Sequence, residues 1–269
     1  MDATLTILGA GRMGEALLGG LLRSGWATAD QVLCAVRTAE RAAALTSTYG
    51  VRAGTDAAVA AAAADVLVVA VKPQNMDALL VQIAGDVTPS QTVISVAAGV
   101  PTARIEQALR DGVPVVRVMS NVAVQVDEAM SAISPGRHAG PEHLATAESV
   151  LGHVGKVVHL AEEHLDAVTA LSGSGPAYFF LLAEAMIDAG ILLGLPRDVA
   201  TELIIQTMVG SAKMLRDTGR HPVELREAVT SPGGTTIAAI RVLEEQRVRA
   251  AFLNAIEAAQ RRSTELAGG

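Results

Sequence analysis

The order of β-rich and helical segments constrains the fold of this chain more than any other feature. Over residues 1–160, short β-rich runs alternate with alanine-rich helical stretches. The run VLVVAV at 66–71 is apolar at every position, which is typical of a strand buried on both faces of a parallel sheet. After Leu160 the β signal disappears. The order therefore predicts an α/β protein, in which an N-terminal Rossmann-type, doubly wound parallel sheet is followed by an all-helical C-terminal domain.

We place the domain boundary at residue 160, which gives a dinucleotide-binding domain over 1–160 and a helical domain over 161–269. The predicted strands cover 4–8, 31–36, 51–53, 66–71, 92–96, 114–119, 129–133 and 154–159. The predicted helices cover 13–24, 39–49, an alanine-rich stretch that ends at Ala64, 75–84, 102–110, 141–151, 162–171, 176–193, 197–218, 222–229, 235–245 and 247–266. Pro176 suits the first turn of its helix, Ser174 is a candidate N-cap, and Gly194 is a helix stop signal.

A glycine-rich motif follows the first predicted strand. Gly9, Gly11 and Gly14 have the spacing G-x-G-x-x-G and stand at the mouth of the first helix. In dinucleotide-binding folds, the first glycine permits the tight turn, the second lets the pyrophosphate approach the backbone, and the third lets the helix pack on the strand. The residues predicted to bind the cofactor here are Gly9, Ala10, Gly11, Arg12, Met13 and Gly14.

The end of the second predicted strand indicates which nicotinamide cofactor is used. An NAD-specific fold places Asp or Glu there to bind the ribose 2′-hydroxyl, and this chain has no carboxylate at that strand end. Arg37 can instead face the 2′-phosphate of NADPH, and Thr38 adds a hydroxyl. Arg41 lies one turn further on. Each of the two arginines either faces this phosphate or belongs to a solvated helix N-terminus. The sequence thus predicts NADPH as cofactor, with NADH as a weaker alternative.

A Ser-Pro-Gly-Gly-Thr-Thr turn directly precedes a predicted amphipathic helix. Pro232 stiffens the turn, while Gly233 and Gly234 can adopt conformations closed to other residues and let a ligand approach the backbone. Thr235 and Thr236 then place hydroxyls at the helix start, where free N–H groups and the helix dipole favour an anion. The turn is therefore either a simple N-capped helix start or a binding site for a small carboxylate.

Composition argues against several classes of function. The formal net charge of −7 and the sequence pI of about 5.4 argue against binding a nucleic-acid backbone. The single cysteine, Cys34, permits no intrachain disulfide, which fits a reducing cytoplasm. The six histidines lack metal-ligand spacing, so we expect no metal site. The N-terminus does not resemble a secretory signal, and Ser-Gly-Ser-Gly-Pro interrupts the apolar run 167–183, so we expect a cytoplasmic protein that does not span a membrane.

Several short motifs follow one another in a specific order along most of the chain. They are GAGRMG at 9–14, AVKPQ at 70–74, SVAAGV at 95–100, RVMSN at 117–121, DAVTALSGSGPAYFF at 166–180, GLP at 194–196 and SPGGTT at 231–236. This ordered set resembles the pyrroline-5-carboxylate reductases, which are enzymes of proline synthesis. The resemblance implies an oxidoreductase acting on a C=N bond, which reduces 1-pyrroline-5-carboxylate to L-proline with NADPH.

The resemblance also implies roles for individual residues. Thr236 is implied as the catalytic residue, with its hydroxyl near the imine nitrogen. The residues implied to bind the substrate are Asn121, Ser231, Gly233, Gly234, Thr235 and Thr236. The further residues implied to line the cofactor are Asp56, Ala70, Lys72, Pro73 and Ala97. The AVKP segment also ends a strand at the carboxyl edge of the sheet, where ligands bind in this fold, although Lys72 is alternatively a surface lysine.

The chain departs from its relatives after the sixth predicted strand. The relatives usually have M-P-N-T-P, whereas this chain has M-S-N-V-A at 119–123. The loss of both prolines and the threonine bears on loop rigidity and substrate selectivity, while Asn121 remains. A reductase of another cyclic imine or imino acid therefore stays open as an alternative. From a different class, a non-catalytic NADP-binding regulator also stays open, although the intact SPGGTT turn argues against it.

The predicted helix 176–193 is apolar almost all round. In a helical domain of about a hundred residues, such a helix needs cover on every side, from its own domain or from a partner subunit. The resemblance implies a homodimer that is intertwined through the helical domain and that assembles further, to a decamer, in relatives. The other expected partner is the small imino acid substrate.

Overall fold

A mixed sheet organises the N-terminal part of the chain in the computed structural model, which describes residues 4–267. The strands are β1 (Leu5–Leu8), β2 (Val32–Ala35), β3 (Arg52–Gly54), β4 (Val66–Val69), β5 (Thr92–Ser95), β6 (Val115–Met119), β7 (Ala129–Pro135) and β8 (Gly155–His159). They lie in the order β3-β2-β1-β4-β5-β6-β7-β8. Strands β1 to β6 are parallel, β7 is antiparallel to β6, and β8 is parallel to β7.

Helices alternate with these strands and then continue alone. Those between strands are α1 (Arg12–Arg23), α2 (Ala39–Tyr49), α3 (Ala57–Ala62), α4 (Met76–Ile83), α5 (Thr102–Ala108) and α6 (Pro141–Leu151). Those after the sheet are α7 (Leu165–Val168), α8 (Gly175–Leu192), α9 (Arg197–Thr218), α10 (Pro222–Ala228), α11 (Thr235–Glu245) and α12 (Val248–Ala267). The predicted fold class, a Rossmann-type sheet followed by helices, is confirmed.

Helices cover both faces of the central strands. In β1, Leu5 and Ile7 belong to one hydrophobic cluster, which includes residues of α1, whereas Leu8 belongs to a second cluster with residues of α3 and α4. Alternate residues of β4 divide between the two clusters in the same way. Because successive side chains of a strand point to opposite faces, each cluster fills one face of the sheet. This double cover explains why β1 and β4 are buried along their length and why β4 is apolar at every position.

The antiparallel strand β7 departs from the all-parallel sheet that the sequence predicts. The chain passes from Met119 at the end of β6 to Ala129 at the start of β7 through the 3₁₀ helix Val122–Val126. A parallel pairing needs a crossover connection of a dozen or more residues. The connection here is shorter, so the chain turns back on itself and pairs in the antiparallel sense.

The described chain divides into two compact units. The first extends from the described N-terminus to Ser174 and takes in the end of α12 from Ala259, and the second is Gly175–Ala258. In the first unit, the hydroxyls of Ser263 and Thr264 on α12 donate hydrogen bonds to the Asp166 carboxylate, at 2.7 and 3.0 Å. These bonds explain why the last helical turns belong with the N-terminal sheet.

The second unit has almost no hydrophobic core of its own. Within Gly175–Ala258, which is described throughout, the buried residues are Gly175, Ala200 and Leu225. The packing of α8 on α9 is close, since a Cβ on Gly190 would lie 2.9 Å from the Ala200 Cβ. Large apolar side chains are nevertheless exposed all along α8 and α9. Examples are Phe179, Phe180, Leu181, Leu192, Leu203 and Ile205.

The segment before α8 corrects one sequence-based expectation. The chain is helical over Glu162–Leu192, through the π-helical stretch Thr169–Gly173, where the sequence predicted an interruption. Ser174 has helical dihedral angles (φ −83°, ψ −18°), and its N–H bonds to the Thr169 carbonyl, so it is not the predicted N-cap of α8. The wider π turn admits this Ser-Gly-rich sequence without ending the helix. By length and composition alone, this apolar segment is sufficient to cross a membrane.

Candidate active site

The glycine-rich segment between β1 and α1 has the geometry that dinucleotide binding requires. Gly9 has φ 92°, in the left-handed region that favours glycine. A Cβ on Gly14 would lie 2.7 Å from the Gly9 carbonyl oxygen, so α1 packs this closely only with glycine there. A Cβ on Gly11 would meet no atom within 4 Å, so the space beside it is open to a ligand. The geometry agrees with the separate roles expected of the three glycines.

A cavity of about 680 Å³ lies over this segment, at the carboxyl edge of the sheet. The residues that line it follow β1, β2, β3 and β4, and they include the cations Arg37, Arg41 and Lys72. Among the described residues that line the cavity there is no Asp or Glu. The chain as a whole has a net charge of −7, so the positive charge of this lining is local and does not reflect the overall composition. The exposed glycine backbone and the cations fit a phosphate-rich nicotinamide dinucleotide.

The two arginines that follow β2 make different contacts. Arg37 is exposed and forms no hydrogen bond or ion pair with the described residues of the chain. The Thr38 hydroxyl caps α2, because it accepts a hydrogen bond from the Arg41 N–H at 3.3 Å. The Arg41 guanidinium donates hydrogen bonds to the Ala10 carbonyl and to the Glu15 carboxylate. Arg37 is therefore available to a 2′-phosphate, whereas Arg41 is engaged with the glycine-rich segment.

The remaining predicted cofactor residues lie in several places. Gly9, Ala10, Ala70 and Thr38 line the cavity. Asp56 lines an adjoining depression, and its carboxylate accepts a hydrogen bond from the Val59 N–H as the N-cap of α3. The predicted residues that lie outside the cavity lining are Arg12, Met13, Gly14, Pro73 and Ala97.

Sequence reasoning missed Gln82 of α4 and three polar lining residues that follow strands, Thr55, Gln74 and Asn75. Thr55 directly follows β3, and Gln74 and Asn75 belong to the 3₁₀ turn Pro73–Asn75 that follows β4. Each of these three therefore lies just beyond the carboxyl end of a parallel strand. That position, rather than any motif, is the sequence signal that identifies them.

Asn121 anchors the loop after β6 through both ends of its amide. Its Oδ1 accepts a hydrogen bond from the Ala123 N–H at 3.2 Å and caps the 3₁₀ helix that follows. Its Nδ2 donates to the carbonyl oxygen and to the hydroxyl oxygen of Ser172, each at 3.3 Å. Side-chain hydrogen bonds thus hold this loop, in which the prolines typical of the relatives are missing.

The SPGGTT turn lies in the second unit and leads into α11. Gly233 has φ 68°, the Gly234 N–H donates to the Ser231 carbonyl at 3.1 Å, and a Cβ on Gly234 would collide with the Ser231 hydroxyl. Gly234 is the N-cap residue of α11, and no side chain caps this helix. Thr235 is exposed and Thr236 is half-buried. The turn therefore presents uncapped N–H groups and two hydroxyls to an anion.

Neither Cys34 nor a metal-binding cluster of the described residues contributes to these sites. Cys34 is buried in β2, and burial raises the pKa of its thiol to about 12. Within residues 4–267, no group of three or more His, Cys, Asp or Glu side chains is arranged to hold a metal ion. The chemistry that the two sites offer is therefore binding and orientation by N–H groups, hydroxyls and cations.

Known proteins match the chain over both of its parts. Residues 162–266 match the family described as pyrroline-5-carboxylate reductase dimerisation, and residues 4–99 match the family described as NADP oxidoreductase, coenzyme F420-dependent. A pyrroline-5-carboxylate reductase of Methanosarcina acetivorans is 45% identical over 259 residues, which are 96% of this chain and 96% of that protein.

Solved structures of such reductases share the fold. One from Coxiella burnetii matches with a TM-score of 0.92 and 34% identity, over 99% of each chain. One from Plasmodium falciparum, solved with NADP bound, matches with a TM-score of 0.89 and 26% identity, over 98% of each chain. The residues matched in these structures include the glycine-rich segment, the residues that line the cationic cavity, and the SPGGTT turn. The chain belongs to the pyrroline-5-carboxylate reductase family.

Proposed function

We propose that this protein reduces 1-pyrroline-5-carboxylate to L-proline with NADPH, the last step of proline biosynthesis. One observation carries the proposal: the chain is 45% identical to a pyrroline-5-carboxylate reductase over nearly its full length. The intact SPGGTT turn supports it. The cationic, acid-free lining of the cavity supports a cofactor with a phosphate on its ribose. The weaker alternative cofactor is NADH, because the pyrophosphate half of the cavity serves both.

When it is bound, the nicotinamide supplies the hydride for the imine carbon. The protein has to hold the ring, fix its carboxylate and supply a hydrogen bond at the nitrogen, which also takes a proton. The uncapped N–H groups around Gly234 and Thr235, together with Ser231, hold the carboxylate. The Thr236 hydroxyl hydrogen-bonds at the imine nitrogen. Such a site gains its rate mainly from orientation, which agrees with the absence of a paired acid and base in the described SPGGTT turn.

Arg37 and Thr38 bind the 2′-phosphate in this proposal. Arg37 is exposed, lines the cavity and has no partner among the described residues, so pairing with a phosphate costs no existing contact. Ala10 and Gly11 offer backbone to the pyrophosphate.

The test is the initial rate of NADPH oxidation with racemic 1-pyrroline-5-carboxylate. We compare the wild type with Thr236→Ala and with Thr235→Ala. The second variant is a matched control, because it removes a neighbouring hydroxyl and keeps the backbone N–H that holds the carboxylate. We expect turnover by the wild type, a loss of roughly a hundredfold or more in kcat for Thr236→Ala, and a much smaller loss for Thr235→Ala.

Two outcomes would contradict this assignment. A folded wild type that binds NADPH and turns over no 1-pyrroline-5-carboxylate removes the proposed substrate and favours another cyclic imine or a regulatory role. Equal losses in the two threonine variants remove the special role of Thr236. NADPH binding is measured in parallel for each variant, so that a cofactor defect is not taken for a catalytic one.

We include a cytoplasmic homodimer in the proposal. The second unit exposes apolar side chains along α8 and α9 and has almost no core, and a second copy of this helical region would bury them. The same contact accounts for the apolar segment Glu162–Leu192 without a membrane. Light scattering on the purified protein distinguishes a dimer from a decamer. A monomer, or a protein recovered only with membranes, would contradict the proposal.

A further inference from the structure

The Arg41 guanidinium bridges two parts of the glycine-rich region. Its Nε and Nη2 atoms donate hydrogen bonds to the Ala10 carbonyl oxygen, at 3.2 and 3.0 Å. Nη2 also donates to Glu15, which lies in the first turn of α1 and forms an ion pair with Arg41. The Tyr49 hydroxyl holds the other oxygen of the same carboxylate, at 3.3 Å. One side chain of α2 therefore fixes both the loop and the helix that follows it.

These contacts bear on the orientation of the loop. The Ala10 carbonyl is held by a charged donor, and the Gly11 N–H donates to the Gly9 carbonyl at 2.8 Å. Hydrogen bonds to a charged group are roughly twice as strong as neutral ones. Holding the carbonyl toward Arg41 restricts the Ala10–Gly11 peptide to one orientation, beside the open space where the pyrophosphate approaches.

The contact between Arg41 and Glu15 also changes the electrostatic potential at the N-terminus of α1. The Glu15 carboxylate stands at the N-terminal turn of α1, the end of the helix that receives the pyrophosphate. Unpaired, it would repel a phosphate-rich ligand that binds at this end of the helix. The ion pair with Arg41 offsets that repulsion.

We propose that Arg41 is a positioning residue for the pyrophosphate half of the cofactor and does not read the 2′-phosphate. It holds the Ala10 carbonyl and offsets the Glu15 charge, two effects that NADPH and NADH share. Arg37, an exposed cation of the same cavity, carries the discrimination between them. The inference rests on the proposed use of a nicotinamide dinucleotide, but not on the identity of the imine.

The experiment measures the dissociation constants of NADPH and NADH for the intact protein, by calorimetric titration, in the wild type and in Arg41→Ala. We expect Arg41→Ala to weaken the binding of both nucleotides by a similar factor, roughly tenfold, so that the ratio of the two constants is unchanged. Arg37→Ala is the matched control. It should weaken NADPH binding by a similar factor and leave NADH binding nearly unchanged. The preference for NADPH over NADH, given by the ratio of the two dissociation constants, should therefore be largely lost.

A double variant tests whether Arg41 acts by offsetting the charge of Glu15 or only by stabilising the local structure. Glu15→Gln combined with Arg41→Ala removes the repulsive carboxylate as well, and we expect it to recover part of the lost affinity for both nucleotides. Arg41→Lys, which keeps the charge but not the fork, should lie between wild type and Arg41→Ala. Thermal melts accompany each variant, and Arg41→Lys carries the test if Arg41→Ala does not fold.

The results that would overturn the inference differ from those that would overturn the proposed function. A loss confined to NADPH in Arg41→Ala would make Arg41 a direct ligand of the 2′-phosphate. Unchanged constants for both nucleotides would show that its contacts do not matter for binding. A wild type that binds neither nucleotide removes the proposed function itself, before any variant is compared.

Discussion

Arg117 on β6 and Glu162 at the start of the long helical segment form an ion pair. The Arg117 Nη1 lies 3.0 Å from Oε1 of Glu162, and the arginine is only 7% exposed. The same carboxylate accepts hydrogen bonds from the N–H and the hydroxyl of Thr102, each at 2.8 Å. Glu162 therefore satisfies a buried cation and the first turn of α5 together.

Removing Glu162 should destabilise the protein more than removing the whole pair. Glu162→Ala leaves the Arg117 charge buried without a partner, and we expect the free energy of unfolding to fall by about 2–4 kcal/mol. The double variant Arg117→Met with Glu162→Leu buries no charge and should lose less. Urea denaturation of the three proteins checks this order. A double variant as unstable as Glu162→Ala would show that packing, and not charge, sets the loss.

Replacing Ser95 with alanine should not lower the free energy of unfolding. Ser95 is fully buried at the carboxyl end of β5, between Val69 and Arg117 of the neighbouring strands, and its hydroxyl has no hydrogen-bond partner among the described residues. A buried hydroxyl without a partner costs free energy. We expect Ser95→Ala to leave the free energy of unfolding unchanged or to raise it by up to about 1 kcal/mol. A clear loss of stability in the same denaturation assay would contradict this and reveal an unseen partner.

Gly11 and Gly14 should respond differently to the same substitution. A Cβ on Gly14 would lie 2.7 Å from the Gly9 carbonyl oxygen, so Gly14→Ala should lower the free energy of unfolding by roughly 1–3 kcal/mol. A Cβ on Gly11 has open space around it, so Gly11→Ala should fold with a loss of about 1 kcal/mol or less. The same Cβ occupies the approach of the pyrophosphate, and NADPH binding should weaken by more than about tenfold.

Melting curves and NADPH titrations of both variants test this pair. A stable Gly11→Ala protein that binds NADPH normally would show that the cofactor does not approach the backbone at Gly11. A Gly14→Ala protein as stable as the wild type would show that α1 shifts easily away from β1.

The sequence predicted those features that depend on local backbone chemistry. Gly9 needs a positive φ and Gly14 a close approach, and both demands follow from spacing after a strand. The family and the fold class predicted from the ordered motifs are confirmed by the relatives and by the sheet. The Gly194 stop signal also corresponds to a residue with φ 91° after α8.

Features that depend on distant contacts could not be predicted. A β-rich run in the sequence does not show whether its strand pairs in the parallel or the antiparallel sense. The antiparallel pairing of β7 with β6 is explained only by the short connection between them. The partners of Arg41, Ala10 and Glu15, lie 31 and 26 residues away in the chain, and nothing in the Arg37–Arg41 segment points to them. The role of Thr236 and the domain boundary at residue 160 stay predictions.

Cys34 offers a pH-dependent test of the buried sheet. Burial raises the pKa of its thiol from 9.0 to about 12, so the folded protein keeps the proton more tightly than the unfolded chain does. The stabilisation that this difference provides is fully present below pH about 9 and is lost as the pH rises toward about 12. Cys34→Ala lacks this dependence, so the stability difference between wild type and variant should shift in favour of the variant across that window.

Thiol labelling provides a direct readout, because Cys34 is the single cysteine of the chain. Since the thiolate is the reactive form, we expect a disulfide reagent at pH about 8 to label the native protein very slowly and the urea-unfolded protein within minutes. NADPH should not change the native rate, because Cys34 lies within β2 and does not line the cavity. Rapid labelling of the native protein would mean that β2 opens readily or that the thiol is less buried than the structure shows. Measuring the rate as a function of urea concentration separates these two explanations, since local opening responds to urea and simple exposure does not.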